Sequence, residues 1–187
     1  MKSILVKDIM VPLSEYTTVT DDAMLSDALN VLEAAQEEFN KDKNRHKSVL
    51  VCEKKSGKVI GKLSQLDVIR ALEPKYESFT QDKTHSFAGT SHFGFSPKFM
   101  KDILEQYELW YDPIKDMCKR ADFQKVKDIM YTPSSGEFVK EKANLGEAIH
   151  QIIMGHHQSL LVTRNEYIVG VLRLTDIFRI ICSQRKM

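Results

Sequence analysis

Val6-Lys7-Asp8-Ile9-Met10 returns letter for letter as Val126-Lys127-Asp128-Ile129-Met130, 120 residues later, and this recurrence decides how the rest of the chain is read. Val19, Leu25 and Ala28 find Val139, Leu145 and Ala148 at the same offset. After a nine-residue difference in length, Ser48-Val49-Leu50-Val51 matches Ser159-Leu160-Leu161-Val162. Gly61, Leu63, Asp67 and Arg70 then match Gly170, Leu172, Asp176 and Arg179. Five identical letters can arise by chance; an ordered series of matches does not. The chain carries an internal duplication.

Both copies predict the same elements. Met24, Leu25, Ala28, Leu29, Leu32, Ala35 and Phe39 recur at helical spacing, with Thr20 or Asp21 placed to cap the start. Leu145, Ala148, Ile149, Ile152 and Ile153 do the same in copy two, with Gly155 where a helix stops. Two apolar runs joined by a turn follow in each copy, Ser48–Glu53 with Val59–Ser64 and Leu160–Thr163 with Tyr167–Leu172, which predict β-hairpins. A second helix follows, over about 66–72 and about 175–182. The order helix, strand, strand, helix, preceded by an extended lead-in through Val19 or Val139, predicts a mixed α/β fold of the α+β type. The expected division is repeat one over 1–73, an insertion over 74–124 and repeat two over 125–187. The insertion begins with aromatics in no clear period, Phe79, Phe87, Phe93 and Phe95, too many for a solvated linker. It continues as a helix with Phe99, Ile103, Leu104, Tyr107 and Trp110 on one face. Asp112-Pro113 opens another helix toward Ala121.

Composition narrows the classes of function. With 27 basic and 26 acidic residues the net charge is +1, and the charges are interspersed, so neither nucleic acid nor an anionic membrane is expected as a partner. Cys52, Cys118 and Cys182 are odd in number, far apart and without a C-x-x-C, which predicts neither disulfides nor a zinc clip and fits a reducing compartment. Lys7 and Asp8 interrupt the N-terminus too early for a signal peptide, and no apolar run approaches a membrane span, so a cytoplasmic chain is expected. No nucleophile–base arrangement, P-loop or dinucleotide fingerprint is present, and an enzyme is not expected. His156-His157 suggests no metal site, because adjacent residues on a strand point to opposite faces.

The V-x-D-I-M entry and the exit of each hairpin, Gly61-Lys62-Leu63-Ser64-Gln65-Leu66-Asp67 and Gly170-Val171-Leu172-Arg173-Leu174-Thr175-Asp176, resemble a tandem pair of cystathionine-β-synthase (CBS) domains, a Bateman module. The resemblance covers about 4–73 and 124–183. It implies two copies related by a pseudo-twofold axis, packed through their strands with helices outside, and a disc-like homodimer. It also implies a regulatory, energy-sensing role: an adenine nucleotide (AMP, ADP or ATP), or alternatively S-adenosylmethionine, in the clefts between repeats, with the signal passed to a separate protein. A structural dimer with empty clefts is the rival reading.

The resemblance places Ser64 at a phosphate and Asp67 at the ribose hydroxyls. A helix start also supplies free N–H groups and a positive dipole end suited to phosphate. Ser-x-x-Asp before an apolar run reads equally as a helix cap. Copy two keeps Asp176 but has Arg173 where the family has Ser or Thr; the guanidinium either contacts phosphate or fills the cleft, so the two clefts are expected to differ. Arg45 and His46, and His156 and His157, precede the first hairpin strand, where the family carries phosphate-facing residues; for the first pair a solvated loop is the alternative. Ser48 and Ser159 stand where the family has proline. Thr18 and Val19, and Phe138 and Val139, are expected as the wall for adenine, or as plain core.

Overall fold

The computed structural model describes residues 4–40, 48–76 and 96–185. The expected positions Arg45, His46, Phe79, Phe87, Phe93 and Phe95 lie outside them. Repeat one comprises β1 (Val11–Pro12), β2 (Thr18–Thr20), α1 (Leu25–Asn40), β3 (Ser48–Cys52), β4 (Val59–Ser64) and α2 (Gln65–Leu72). Two insertion helices follow, α3 (Pro97–Gln106) and α4 (Ile114–Ala121). Repeat two has a short α5 (Val126–Ile129), then β5 (Phe138–Lys140), α6 (Leu145–Gly155), β6 (Ser159–Arg164), β7 (Tyr167–Arg173) and α7 (Leu174–Gln184).

Each repeat forms a sheet from a parallel pair and a hairpin: β2 beside β3 and β3 against β4, then β5 beside β6 and β6 against β7. The second hairpin closes through Asn165 and Glu166, both at positive φ (48° and 69°), as a two-residue turn requires to match strand twist. Val19, Leu25, Ala28, Leu32, Val49, Val51 and Leu63 bury one face of the first sheet under α1 and α2. Val139, Ala148, Ile152, Leu160, Val162, Leu172 and Ile177 do the same for the second. The opposite faces meet through Tyr16, Leu50, Leu161 and Val171. Burying such a side chain fully is worth about 1.5–3 kcal/mol, so this seam joins the repeats into one body.

The repeated V-K-D-I-M segments are exchanged. Val6 is fully buried in the core of repeat two, and Val126 in that of repeat one. Val6 N–H donates to the Ala143 carbonyl at 3.0 Å and Lys7 N–H to Glu141 at 3.0 Å; Val126 N–H donates to Ala23 at 2.9 Å and Lys127 N–H to Asp21 at 3.0 Å. These pairings reproduce one another at the sequence offset. Even the free N–H at each helix start is met across the exchange, Leu25 by the Gln124 carbonyl at 2.8 Å and Leu145 by the Ile4 carbonyl at 2.9 Å. Thus Thr20 and Asp21 do not cap α1: the Thr20 hydroxyl bonds Asp22 at 2.8 Å, and the helix begins at Leu25.

Beyond the exchange, β1 pairs with β7 (Pro12 opposite Gly170), and Tyr131 bridges to Lys62 on β4. The repeated glycines sit beneath these crossings. A Cβ on Gly61 would lie 2.7 Å from Met130 Sδ, and one on Gly170 2.5 Å from the Val11 carbonyl oxygen. In the insertion, α3 ends at Gln106, so Trp110 lies past the helix in a turn rather than on its apolar face. No helix among the described residues is long and apolar enough to cross a membrane.

Candidate functional site

At the end of β4 the chain stops pairing and turns into α2, leaving the helix's first N–H groups without intrahelical partners. Ser64 and Asp67 meet that need reciprocally. The Asp67 N–H donates to Ser64 Oγ at 3.4 Å, while the Ser64 N–H and hydroxyl donate to Asp67 Oδ2 at 2.8 and 2.6 Å. The capping reading of these residues is therefore realised. Asp67 is buried, yet its other oxygen, Oδ1, lies 3.9 Å from a half-exposed Arg70 guanidinium, too long for a hydrogen bond.

Repeat two builds the same corner differently. Arg173 Nε and Nη2 donate to Asp176 Oδ2 and Oδ1 at 2.7 and 2.6 Å, a two-pronged contact that occupies both carboxylate oxygens. The pair is buried. Arg173 thus spends its charge on its own helix cap, and both Asp176 oxygens accept hydrogen bonds where Asp67 Oδ1 accepts none from the described residues.

The two corners face one cleft of about 400 Å³, lined by Tyr16, Ser48, Lys62, Ser64, Gln158, Ser159, Arg173 and Thr175 and by the first residues of α2 and α7. Ser48 lies opposite Ser64 and Ser159 opposite Arg173 across their hairpins, so the hydroxyls that stand at the expected proline positions line this space. Tyr16 closes its floor: burial pushes its phenol above the ordinary value, against an opposing hydrogen bond with Ser48 and the nearby charge of Arg173.

Lys62 belongs to a second network. Its Nζ donates to Glu137 Oε2 at 2.9 Å and sits 4.8 Å from the centre of the Tyr131 ring. The Tyr131 hydroxyl donates to Glu137 Oε1, and the Ser134 N–H does so at 3.1 Å. This ties β4 of repeat one to the lead-in of repeat two at the rim of the cleft. Tyr16, Lys62, Tyr131 and Glu137 are all missed by motif reading. Ser134-x-x-Glu137 is a capping signature that marks the corner but not its reach across the repeats.

The remaining expected residues disperse. Val19 and Val139 face the cores of their repeats, and Thr18 is exposed. Phe138 lines a separate cleft of about 1030 Å³ beside the hairpin tips, with Leu13, Lys58, Pro133 and Tyr167. His156 and His157 are not on a strand. His156 ends α6 in the left-handed conformation (φ 52°), and the His157 ring lies over Gly155. Of the expected set, Ser64 and Arg173 line the helix-end cleft, with Asp67 and Asp176 one turn inside their helices.

Two exchanged helix–strand–strand–helix repeats around a shared cleft define a tandem CBS-type module. The CBS domain family matches residues 6–74 and 126–183, and the chain belongs to that family, in two copies. Comparison with curated protein sequences finds no match. Among solved structures, the chain is similar to a hypothetical conserved protein from Geobacillus kaustophilus (17% identity, 97% of this chain and 98% of that one, TM-score 0.59). It is also similar to a CBS domain-containing protein of unknown function from Bacillus anthracis (16%, 97% and 94%, 0.58). CBSX2 in complex with AMP is a third (16%, 97% and 98%, 0.54). At such identities the likeness establishes the shared fold.

Proposed function

We propose that this chain is a regulatory rather than catalytic module that binds an adenine nucleotide in the helix-end cleft and signals to a separate protein. The observation that carries this reading is the asymmetry of the corners: Asp67 Oδ1 accepts no hydrogen bond from the described residues and has only the Arg70 guanidinium at 3.9 Å, while both Asp176 oxygens are held by Arg173. Asp67 is the residue for the ribose hydroxyls, and Ser64, Ser48, Lys62 and the start of α2 are the groups for phosphate. The AMP held by CBSX2, a protein of the same fold, supports the ligand class. The buried Arg173–Asp176 contact is what favours the rival, a dimer with empty clefts, and in repeat two alone.

A second copy of the chain is the partner that suits the outer surfaces of α2 and α7. Leu66 and Ile69 on the first, and Leu174, Phe178 and Ile181 on the second, are exposed, and Leu66 and Leu174 both border the cleft. Contiguous apolar surface of this kind marks an interaction face. Because the repeats are alike, the face is of similar character in both halves, as an isologous dimer requires.

Thermal unfolding with AMP, ADP, ATP and S-adenosylmethionine tests the reading. A ligand confined to the folded state at a hundredfold excess over its Kd adds about 2.7 kcal/mol, which moves Tm by roughly 5–10 °C in a chain of this size. We expect that rise with at least one adenine nucleotide and its loss in Asp67→Ala. A midpoint unmoved by all four ligands, in a protein that stays folded, contradicts it.

A further inference from the structure

The insertion is fastened to the far end of the helix that Ser64 caps. Glu73, the residue that caps the end of α2, is 4% exposed, and its Oε2 accepts the Trp110 backbone N–H at 2.9 Å. Lys75 Nζ donates to the Glu108 carbonyl at 2.8 Å, and the Trp110 indole N–H to the Tyr76 hydroxyl at 3.0 Å. Leu109, between them, is buried. From the other side Gln124 Nε2 donates to the Ala71 carbonyl at 3.1 Å, and Met117 and Ala121 of α4 are buried.

The turn so held is strained. Glu108 and Trp110 adopt φ of 50° and 61°, a region that side-chain-bearing residues enter rarely and bulky ones least. Such backbone persists only where its surroundings over-determine it, and here those surroundings are Glu73, Lys75 and Tyr76, just past the end of α2. The eight-residue α2 therefore runs from its cap Ser64, which lines the cleft, to Glu73, whose carboxylate holds the strained turn.

We propose that the Glu73–Trp110 contact is a latch through which the state of the cleft at the start of α2 sets the position of the insertion. The proposal rests on the nucleotide reading only for the identity of the ligand. Trp110 is the sole tryptophan of the chain, so its fluorescence reports the latch directly.

The test titrates the full chain with AMP, ADP and ATP, following tryptophan emission and the heat of binding on the same samples. The expected result is a saturable emission change whose midpoint matches that of the heat. Glu73→Ala should be red-shifted before any nucleotide is added, bind with heat and show no further shift. Glu73→Gln, whose amide oxygen still accepts the Trp110 N–H, should behave as wild type. Heat of binding with an unmoved Trp110 emission overturns the latch. Absence of heat with every nucleotide overturns the nucleotide reading instead. The latch is then judged on Asp67→Asn, which weakens the cap of α2: a red-shifted emission in the folded variant supports it, and an unmoved emission overturns it.

Discussion

Glu137 shows how a single carboxylate is kept charged in the seam between repeats. It is 3% exposed, and burial alone would raise its pKa. Hydrogen bonds from Tyr131, Lys62 and the Ser134 backbone outweigh that and hold it below the ordinary 4.5, while the same carboxylate pushes the Tyr131 phenol up to about 12. The signs follow from which state holds the proton. For Glu137 the folded pKa is depressed, so its contribution is present above pH 4.5 and is lost as pH falls through the folded value. For Tyr131 the folded pKa is raised, so its contribution is present below pH 10 and fades as pH rises toward about 12. Glu137→Gln should therefore cost about 1–3 kcal/mol at neutral pH. That gap should narrow on acidification below pH 4.5, as measured by urea unfolding of both proteins. A gap independent of pH would contradict the assignment.

At the scale of elements, hairpins and helices were legible because they depend on local periodicity; β4 begins and ends where the apolar run Val59–Ser64 does. The exchange of Val6 and Val126 was not legible. Spacing tells that a valine is buried and does not tell which repeat covers it. The glycines held the clue without its meaning: Gly61 and Gly170 recur because the other repeat's lead-in passes within reach of a Cβ. Gly170→Ala meets the Val11 carbonyl oxygen at 2.5 Å, and Gly61→Ala meets a flexible thioether at 2.7 Å and the Tyr131 carbonyl oxygen at 2.9 Å. Both should destabilise by about 1–3 kcal/mol, as overpacking does, with Gly170→Ala the worse in denaturant midpoint. Equal stability of both variants with wild type would contradict the crossing. Spacing alone places Trp110 on a helical face; its positive φ goes with its bonds to Glu73 and Tyr76, which no local pattern in the insertion reveals. The Ser64–Asp67 corner was legible as residues but ambiguous as chemistry, because a helix cap and a nucleotide site use the same groups.

Across the whole molecule, the duplication yields a body that is symmetric in fold and asymmetric in chemistry. Ser64 against Arg173 separates the two corners, and the Lys62–Glu137–Tyr131 network has Val171, Thr17 and Val11 at its counterpart positions. The exposed faces of α2 and α7 predict a dimer that Phe178→Glu or Leu66→Asp converts to monomer, as read by sedimentation velocity. A wild-type monomer at micromolar concentration would contradict that assignment of the face.

In the proposed function one corner, Ser64 and Asp67, takes the nucleotide. The most direct test is calorimetric titration of the full chain with the nucleotide that raises its midpoint, alongside Asp67→Asn and Asp176→Asn. One nucleotide should bind per chain, with binding lost in Asp67→Asn and retained in Asp176→Asn. Binding that survives Asp67→Asn unchanged, or absence of binding by the wild-type chain to any adenine nucleotide, would contradict it.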